Sequence, residues 1–129
     1  FTDWDHNNIG RINLRTNQIT FHYNDTGLNC PVGIAISPDS RHAVVANKYG
    51  NNIALIDLQA DEVTFPFPDA GFNRPEGVAF SPNGALVLVA NFNGNNVACI
   101  DVHSAAGITR GIRSKGMRRS VPSPLSLSP

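Results

Sequence analysis

The sequence predicts an all-β protein assembled from repeats of about 44 residues. Residues 31–58 return as residues 75–102, and 14 of the 28 aligned positions are identical. The turn at Asn51 also returns in the same register, at Asn7 before it and at Asn95 after it. A period in the low forties, with short apolar runs between turn signals, is typical of β-propeller blades rather than of helical repeats. We therefore expect a partial propeller of about 2.5 to 3 blades.

The third repeat shows the order of strands within one blade. Residues 76–80 form a short strand, and the Ser-Pro-Asn-Gly sequence that follows supplies proline and glycine where a tight turn needs them. Residues 86–91 form a second strand, and residues 92–95 turn the chain. Residues 96–102 return as a third strand rich in β-branched and apolar residues.

A fourth strand is visible at the end of the second repeat. Residues 62–67 are rich in β-branched and aromatic side chains, and residues 18–23 match them in the first repeat. We therefore predict blades of four antiparallel strands, named A to D from the inside of the blade outward. The predicted blades are a partial first blade over residues 1–23, a second over residues 31–67 and a third over residues 75–110.

Strand B is apolar on both of its alternating faces, as residues 43–46 and 86–90 show. A sheet with one solvated face would alternate apolar and polar residues, so both faces are expected to be covered by neighbouring blades. Gly33 and Gly77 suit a crowded innermost strand. In such a blade the B–C and D–A connections emerge on the same side, which we call the loop face.

Composition limits the classes of function. The chain has 10 Lys or Arg and 10 Asp or Glu, so it offers no general electrostatic argument for nucleic acid. No apolar run approaches the roughly 20 residues that span a bilayer, so no membrane span is expected. Residues 111–129 are rich in Ser, Pro and Arg and are predicted to form a disordered tail. Cys30 and Cys99 occupy non-equivalent repeat positions and predict neither a disulfide framework nor a metal site.

The repeat motif resembles known propeller families. Pro-x-Gly-[Ile/Val]-Ala-x-Ser-Pro-[Asp/Asn], followed by Val-Ala-Asn, Gly-Asn-Asn and Ile-Asp, resembles the YVTN-type repeat of surface-layer and related β-propellers. Residues 1–21 are more similar to streptogramin (virginiamycin B) lyase and NHL-type repeats. The resemblance covers about residues 1–102, and it implies the fold more strongly than a chemistry. Related repeats are often exported, so it also implies an extracytoplasmic or cell-surface location.

Resemblance to the lyase implies a histidine and a metal ion, Mg²⁺ or Ca²⁺, held by acidic residues on the loop face. After strand B, however, the three repeats carry Asp3, Asn47 and Asn91, and an amide is a poorer ligand than a carboxylate for such an ion. The residue between Pro and Gly in strand A is Val32 or Glu76, and neither is a histidine. We therefore expect no cofactor unless the chain is part of an enzyme.

Asparagine pairs recur in the B–C turn, at residues 7–8, 51–52 and 95–96. Amides can bind sugars, but asparagine also adopts the left-handed conformation and bonds to neighbouring backbone. Repetition at one turn position favours this structural role. The Asp-Trp-Asp-His sequence at residues 3–6 could bind a metal or a ligand, and its last two residues also fit an ordinary polar turn.

The better candidates for ligand binding are loop-face positions that vary between repeats. Variation where the scaffold does not dictate identity leaves room for a specific partner surface. The candidate ligand-binding residues are Trp4, Asp5, His6, Lys48, Tyr49, Arg74, Glu76 and Phe92.

Three functions are compatible with this pattern. The leading interpretation is a propeller module that binds a ligand or an interacting protein through the loop face. The alternative is a fragment of a metal-dependent propeller enzyme of streptogramin lyase or lactonase type, in which other blades supply the metal ligands and the general base. A structural surface protein is the third. The expected partners are a protein or small-molecule ligand, with a homo-oligomer that completes the ring as a further association.

Overall fold

A computed structural model describes residues 1–67 and 70–102, which form three antiparallel sheets without an α-helix in that part of the chain. The first sheet contains β1 (Thr2–Asp3), β2 (Asn8–Asn13) and β3 (Gln18–His22). The second contains β4 (Pro31–Ile36), β5 (His42–Asn47), β6 (Asn52–Asp57) and β7 (Glu62–Thr64). The third contains β8 (Pro75–Phe80), β9 (Leu86–Asn91) and β10 (Asn96–Asp101). Within the described ranges, no helix has the length and apolarity to cross a membrane.

These sheets confirm the predicted all-β fold class of propeller blades. The second sheet, ordered β4-β5-β6-β7, contains all four strands A to D. The first sheet supplies strands B, C and D of its blade, and the third supplies strands A, B and C. The predicted third blade continues through residues 103–110 and the predicted tail covers residues 111–129, and both of these segments lie outside the described residues.

The predicted outer strand at residues 62–67 was too long. β7 ends at Thr64, and Phe67 is buried with 8% of its surface exposed. Pro66 has no N–H to donate to a sheet, so the segment leaves β6 and its aromatic side chain enters the space between two blades. β3 ends one residue earlier than predicted, at His22, and β10 ends at Asp101.

The turns between strands A and B form because serine and an Asx residue bond to the backbone. Ser37 Oγ donates to Asp39 Oδ1 over 2.6 Å and accepts from His42 N over 3.0 Å. Ser40 and Gly84 hold the left-handed position, with φ of 63° and 75°. Glycine was predicted there, and the serine shows that a short polar side chain also fits.

The blades stack through two apolar clusters that share β5. Ala43 and Val45 pack towards the first blade, while Val44 and Ala46 pack towards the third. Val45 is completely buried, and burying such a side chain contributes about 1.5 to 3 kcal/mol. The prediction that both faces of strand B are covered is therefore confirmed for the second blade.

The inner strands of the second and third blades approach closely at Gly33. A Cβ atom at Gly33 would collide with the backbone carbonyl oxygen of Glu76, so only glycine fits the interface there. The predicted crowding is correct at Gly33. At Gly77, in the described part of the chain, a Cβ would meet only the Cβ of Ala90, at 3.7 Å.

Candidate recognition face

The loop face is built from B–C and D–A turns that bond to each other. Lys48 N donates to the carbonyl oxygen of Cys30, and Phe92 N donates to that of Arg74, each over 3.1 Å. Because both blades repeat this bond, the two connections lie on the same side of the sheets. The loop face therefore has the same backbone frame in the second and third blades.

A buried asparagine at the end of strand B stabilises each frame. Asn47 is fully buried, accepts a 2.6 Å hydrogen bond from Asn29 N and donates over 2.8 Å to Asn52 Oδ1. Its Nδ2 also donates to the carbonyl oxygen of Gly27 over 3.3 Å. Asn91 repeats the pattern in the third blade. The side-chain amides of Asn47 and Asn91 therefore form their hydrogen bonds within the scaffold.

The first asparagine of the pairs at residues 7–8 and 51–52 connects one blade to the next. Asn51 adopts φ 54°, and its Oδ1 accepts from Arg74 N over 2.9 Å. Asn7 adopts φ 56° and accepts from Cys30 N over 2.6 Å. The predicted left-handed turn is therefore present, but each amide bonds to the following blade rather than to its own neighbouring backbone.

Four of the sequence-predicted site residues form one cluster. Lys48 Nζ lies 2.7 Å from Glu76 Oε2, and the hydrogen bond to this carboxylate raises the pKa of the Lys48 ammonium. The Arg74 guanidinium carbon lies 5.2 Å from the centroid of the Tyr49 ring, and Lys48 Nζ lies 5.7 Å from it. The Tyr49 side chain thus has two cations at its ring. We call these four residues the Tyr49 cluster.

Two hydrogen bonds hold the main chain of Arg74 in place. The residue adopts φ 55°, its N–H is bonded to Asn51, and its carbonyl oxygen is bonded to Phe92 N. Its guanidinium forms no ion pair with any carboxylate in the described ranges. The structure therefore presents a cation, on a hydrogen-bonded backbone, beside a half-exposed aromatic ring.

The other candidates lie on the loop face without joining the Tyr49 cluster. Trp4 and Phe92 take the positions that Lys48 has in the second blade, and their side chains are 58% and 57% exposed. His6 Nδ1 lies 3.1 Å from both carboxylate oxygens of Asp3. Among the described residues, no hydrogen bond or ion pair connects Trp4, Asp5 or His6 to the cluster.

One feature of the first blade escaped the sequence interpretation. Asn8 pairs with Asp3 as Asn52 pairs with Asn47, but a carboxylate has no N–H to donate. The Asn8 Oδ1 atom is buried and has no hydrogen-bond partner within residues 1–67 and 70–102. The signal was present in the sequence as an Asn to Asp change at an otherwise repeated position.

Two further contacts were not predicted. Tyr23 Oη donates to Asp61 Oδ1 over 2.7 Å, and Arg11 Nη1 lies 3.3 Å from the same oxygen. Burial and this hydrogen bond raise the pKa of Tyr23 from 10.0 to about 12. A largely apolar groove of about 330 Å³ lies between the first and second sheets, with Ile12, Ile34 and Ile36 among its lining residues.

Groups that could bind a metal ion are sparse. The part of the chain that the structure describes has no cluster of three or more His, Cys, Asp or Glu side chains able to hold one. Asp3 and His6 provide two such side chains. The described blades therefore lack a complete ligand set of these residue types.

Stacked antiparallel blades with a shared loop face define a β-propeller segment. The sequence matches the family described as "Lactonase, 7-bladed beta-propeller" over residues 2–128. The chain belongs to this family. The finer assignment to YVTN-type or NHL-type repeats stays a prediction.

Solved structures also match, 104 chains in all, whereas no curated protein does. A streptogramin B lyase is 27% identical, with a TM-score of 0.60 over 78% of this chain and 32% of that one. A chain of a nidogen/laminin complex is 20% identical, with a TM-score of 0.69 over 88% of this chain and 41% of that one. A functionally unknown protein from Desulfotomaculum acetoxidans is 19% identical, with a TM-score of 0.57 over 84% and 34%. The last two show the fold alone, and the chain spans less than half the length of each.

Proposed function

We propose that this propeller segment is a recognition scaffold whose Tyr49 cluster binds a carboxylate group of a protein or small-molecule ligand. Lys48 is paired with Glu76, so the formal charge of the cluster is that of Arg74. A guanidinium forms two parallel hydrogen bonds to a carboxylate, and an aromatic ring beneath it restricts its orientation.

The observation that carries the proposal is the unpaired Arg74 guanidinium on a fixed backbone. Its main-chain N–H and carbonyl are both bonded, so ordering this residue for binding costs less entropy than ordering a free loop. Exposed Trp4 and Phe92 add apolar area on the same face of neighbouring blades. Aromatic residues and arginine are the types enriched at binding hot spots.

Titration with two probes tests the proposal. Sodium gluconate represents small carboxylates, and an acetylated tetraglutamate peptide represents acidic protein segments; NMR chemical shifts report binding. We expect saturable shifts at Tyr49 and Arg74, and Arg74→Gln should weaken binding at least about tenfold. Arg15→Gln is the matched control, because Arg15 is exposed in the β2–β3 turn on the opposite face. Unsaturable shifts, or equal effects of the two substitutions, would contradict the proposal.

A second candidate function is lactone opening. The family match favours it, and the Asp3–His6 pair supplies a carboxylate and an imidazole on the loop face. In this case further blades would supply the remaining metal ligands and a general base.

Hydrolysis of glucono-δ-lactone with and without added Mg²⁺ or Ca²⁺ tests this alternative. Enzyme function predicts turnover above the uncatalysed rate that Asp3→Asn and His6→Gln both abolish. His22→Gln is the control, because the His22 side chain bonds to Thr20 on the outer strand of the first blade. Turnover that all three variants retain would place the activity elsewhere.

A further inference from the structure

Glu76 supplies the carboxylate of the Tyr49 cluster. Its Oε2 atom lies 2.7 Å from Lys48 Nζ, and both side chains are partly exposed. The hydrogen bond to Glu76 raises the pKa of the Lys48 ammonium, so the lysine carries its positive charge at neutral pH. Because Lys48 follows β5 and Glu76 belongs to β8, this ion pair joins the second blade to the third.

A β-bulge determines where the Glu76 side chain points. The register between β8 and β9 shifts between Pro75 and Gly77, so Glu76 has no paired residue in β9. A bulge residue leaves the regular alternation of the strand, and its side chain can be aimed at a neighbouring element. Pro75 is fully buried and restricts the backbone immediately before Glu76. The carboxylate is therefore presented to the second blade from a constrained segment.

Glu76 pairs with the lysine of the preceding blade rather than with the arginine of its own segment. Arg74 precedes Glu76 by two residues, but its guanidinium lies beside the Tyr49 ring, with 5.2 Å from Cζ to the ring centroid. The Lys48 Nζ atom lies 5.7 Å from the same centroid. The Tyr49 cluster thus contains two cations and one carboxylate, and the positive charge that is not balanced is that of Arg74.

The equivalent positions of the other described blades do not carry these charges. Trp4 and Phe92 replace Lys48 in the first and third blades. Val32 replaces Glu76 in the second blade, where the register between β4 and β5 shifts in the same way. Val32 packs beside an apolar cluster instead of forming an ion pair. The bulge therefore forms without a carboxylate, and the scaffold does not require glutamate at this position.

We infer that Glu76 is a specificity-determining residue, which makes the Tyr49 cluster accept a carboxylate and disfavour a phosphate dianion. The inference rests on the proposed function of this cluster. Because Glu76 neutralises Lys48, a ligand meets one uncompensated positive charge. The attraction to that charge doubles from a carboxylate to a phosphate dianion, whereas the cost of removing the group from water increases with the square of its charge. Glu76 also repels the dianion twice as strongly as the carboxylate.

NMR titration of the full chain and of its Glu76→Gln variant tests the inference, with sodium gluconate and methyl phosphate as probes. A phosphate monoester has a second pKa of about 6, so methyl phosphate is a dianion at about pH 8. The parent chain should bind gluconate more tightly than methyl phosphate. Because electrostatic energy is proportional to ligand charge, the substitution should increase affinity for the dianion by the square of its effect on the carboxylate. We expect about threefold tighter binding of gluconate and about tenfold tighter binding of methyl phosphate.

Two further variants separate the local charge balance from the net charge of the chain. Glu62→Gln is the matched control, because it changes the net charge equally and Glu62 is exposed on the outer strand β7. It should leave the ratio of the two affinities unchanged. Lys48→Gln combined with Glu76→Gln again leaves one uncompensated positive charge, so this ratio should return to that of the parent chain.

The outcomes distinguish failure of this inference from failure of the proposed function. Equal gains for the two probes in Glu76→Gln, or the same change of ratio in Glu62→Gln, would overturn the role of Glu76 alone. A ratio that stays altered in the combined variant would do the same. Gluconate that does not saturate the parent chain, or that binds Arg74→Gln equally well, would overturn the proposed function and this inference with it.

Discussion

The fully buried Asn47 side chain allows a quantitative test of the loop-face frame. Asn47→Ala removes the partner of three groups: the Asn29 N–H, Asn52 Oδ1 and the Gly27 carbonyl oxygen. A buried polar group that loses its partner costs about 1 to 3 kcal/mol. The lower bound for three groups gives a loss of about 3 kcal/mol in the free energy of unfolding.

Urea unfolding followed by circular dichroism measures this loss. With a slope of about 1 to 3 kcal/mol per molar urea, the midpoint should fall by at least about 1 M at an unchanged slope. Asn93→Ala is the matched control, because Asn93 is exposed in the equivalent turn of the next blade and uses only its backbone N–H. It should change stability by less than about 0.5 kcal/mol. A loss below about 1 kcal/mol for Asn47→Ala, or one no larger than that of the control, would refute a structural role for this amide.

Two further predictions concern the first blade. Asp3→Asn restores an N–H donor opposite Asn8 Oδ1 and should stabilise the fold by about 1 kcal/mol in urea unfolding. Asp5→Asn is the control, because Asp5 is exposed. A less stable Asp3→Asn variant would contradict the conclusion that Asn8 Oδ1 lacks a partner. The raised pKa of Tyr23 gives a stability contribution that is complete below pH 10.0, the unfolded value, and is lost as pH rises towards about 12. Tyr23→Phe should remove this part of the alkaline loss, whereas Tyr49→Phe should retain it, and identical pH profiles for the two variants would refute the coupling to Asp61.

Local sequence pattern was sufficient for the strands but not for contacts between blades. Apolar residues on both faces of β5 predict burial on both sides, and Ser-Pro-Asn-Gly predicts the turn before β9. The length of the outer strand β7 was overestimated because the apolar pattern continues through Phe67, although Pro66 interrupts the hydrogen bonding.

The Tyr49 cluster was predicted only as separate positions. Its residues were selected because they vary between repeats on one face, but Arg74 lies 25 residues after Tyr49 and meets it only when two blades stack. The hydrogen bond from Arg74 N to Asn51 has the same cause. A pattern within one repeat contains no information on the distance between neighbouring repeats, so these contacts cannot be predicted from it.

On the loop face, the residues that connect neighbouring blades are different from the residues that form the exposed surface. The repeated amides of Asn7 and Asn51 connect adjacent blades, whereas the chemical character of the surface is set by exposed positions such as Trp4, Lys48 and Phe92, three residues before each repeated asparagine. Substitutions at these exposed positions can alter which molecule is held without moving the neighbouring blade. Duplicated blades could thus diverge in specificity one turn at a time, on a framework whose geometry does not change.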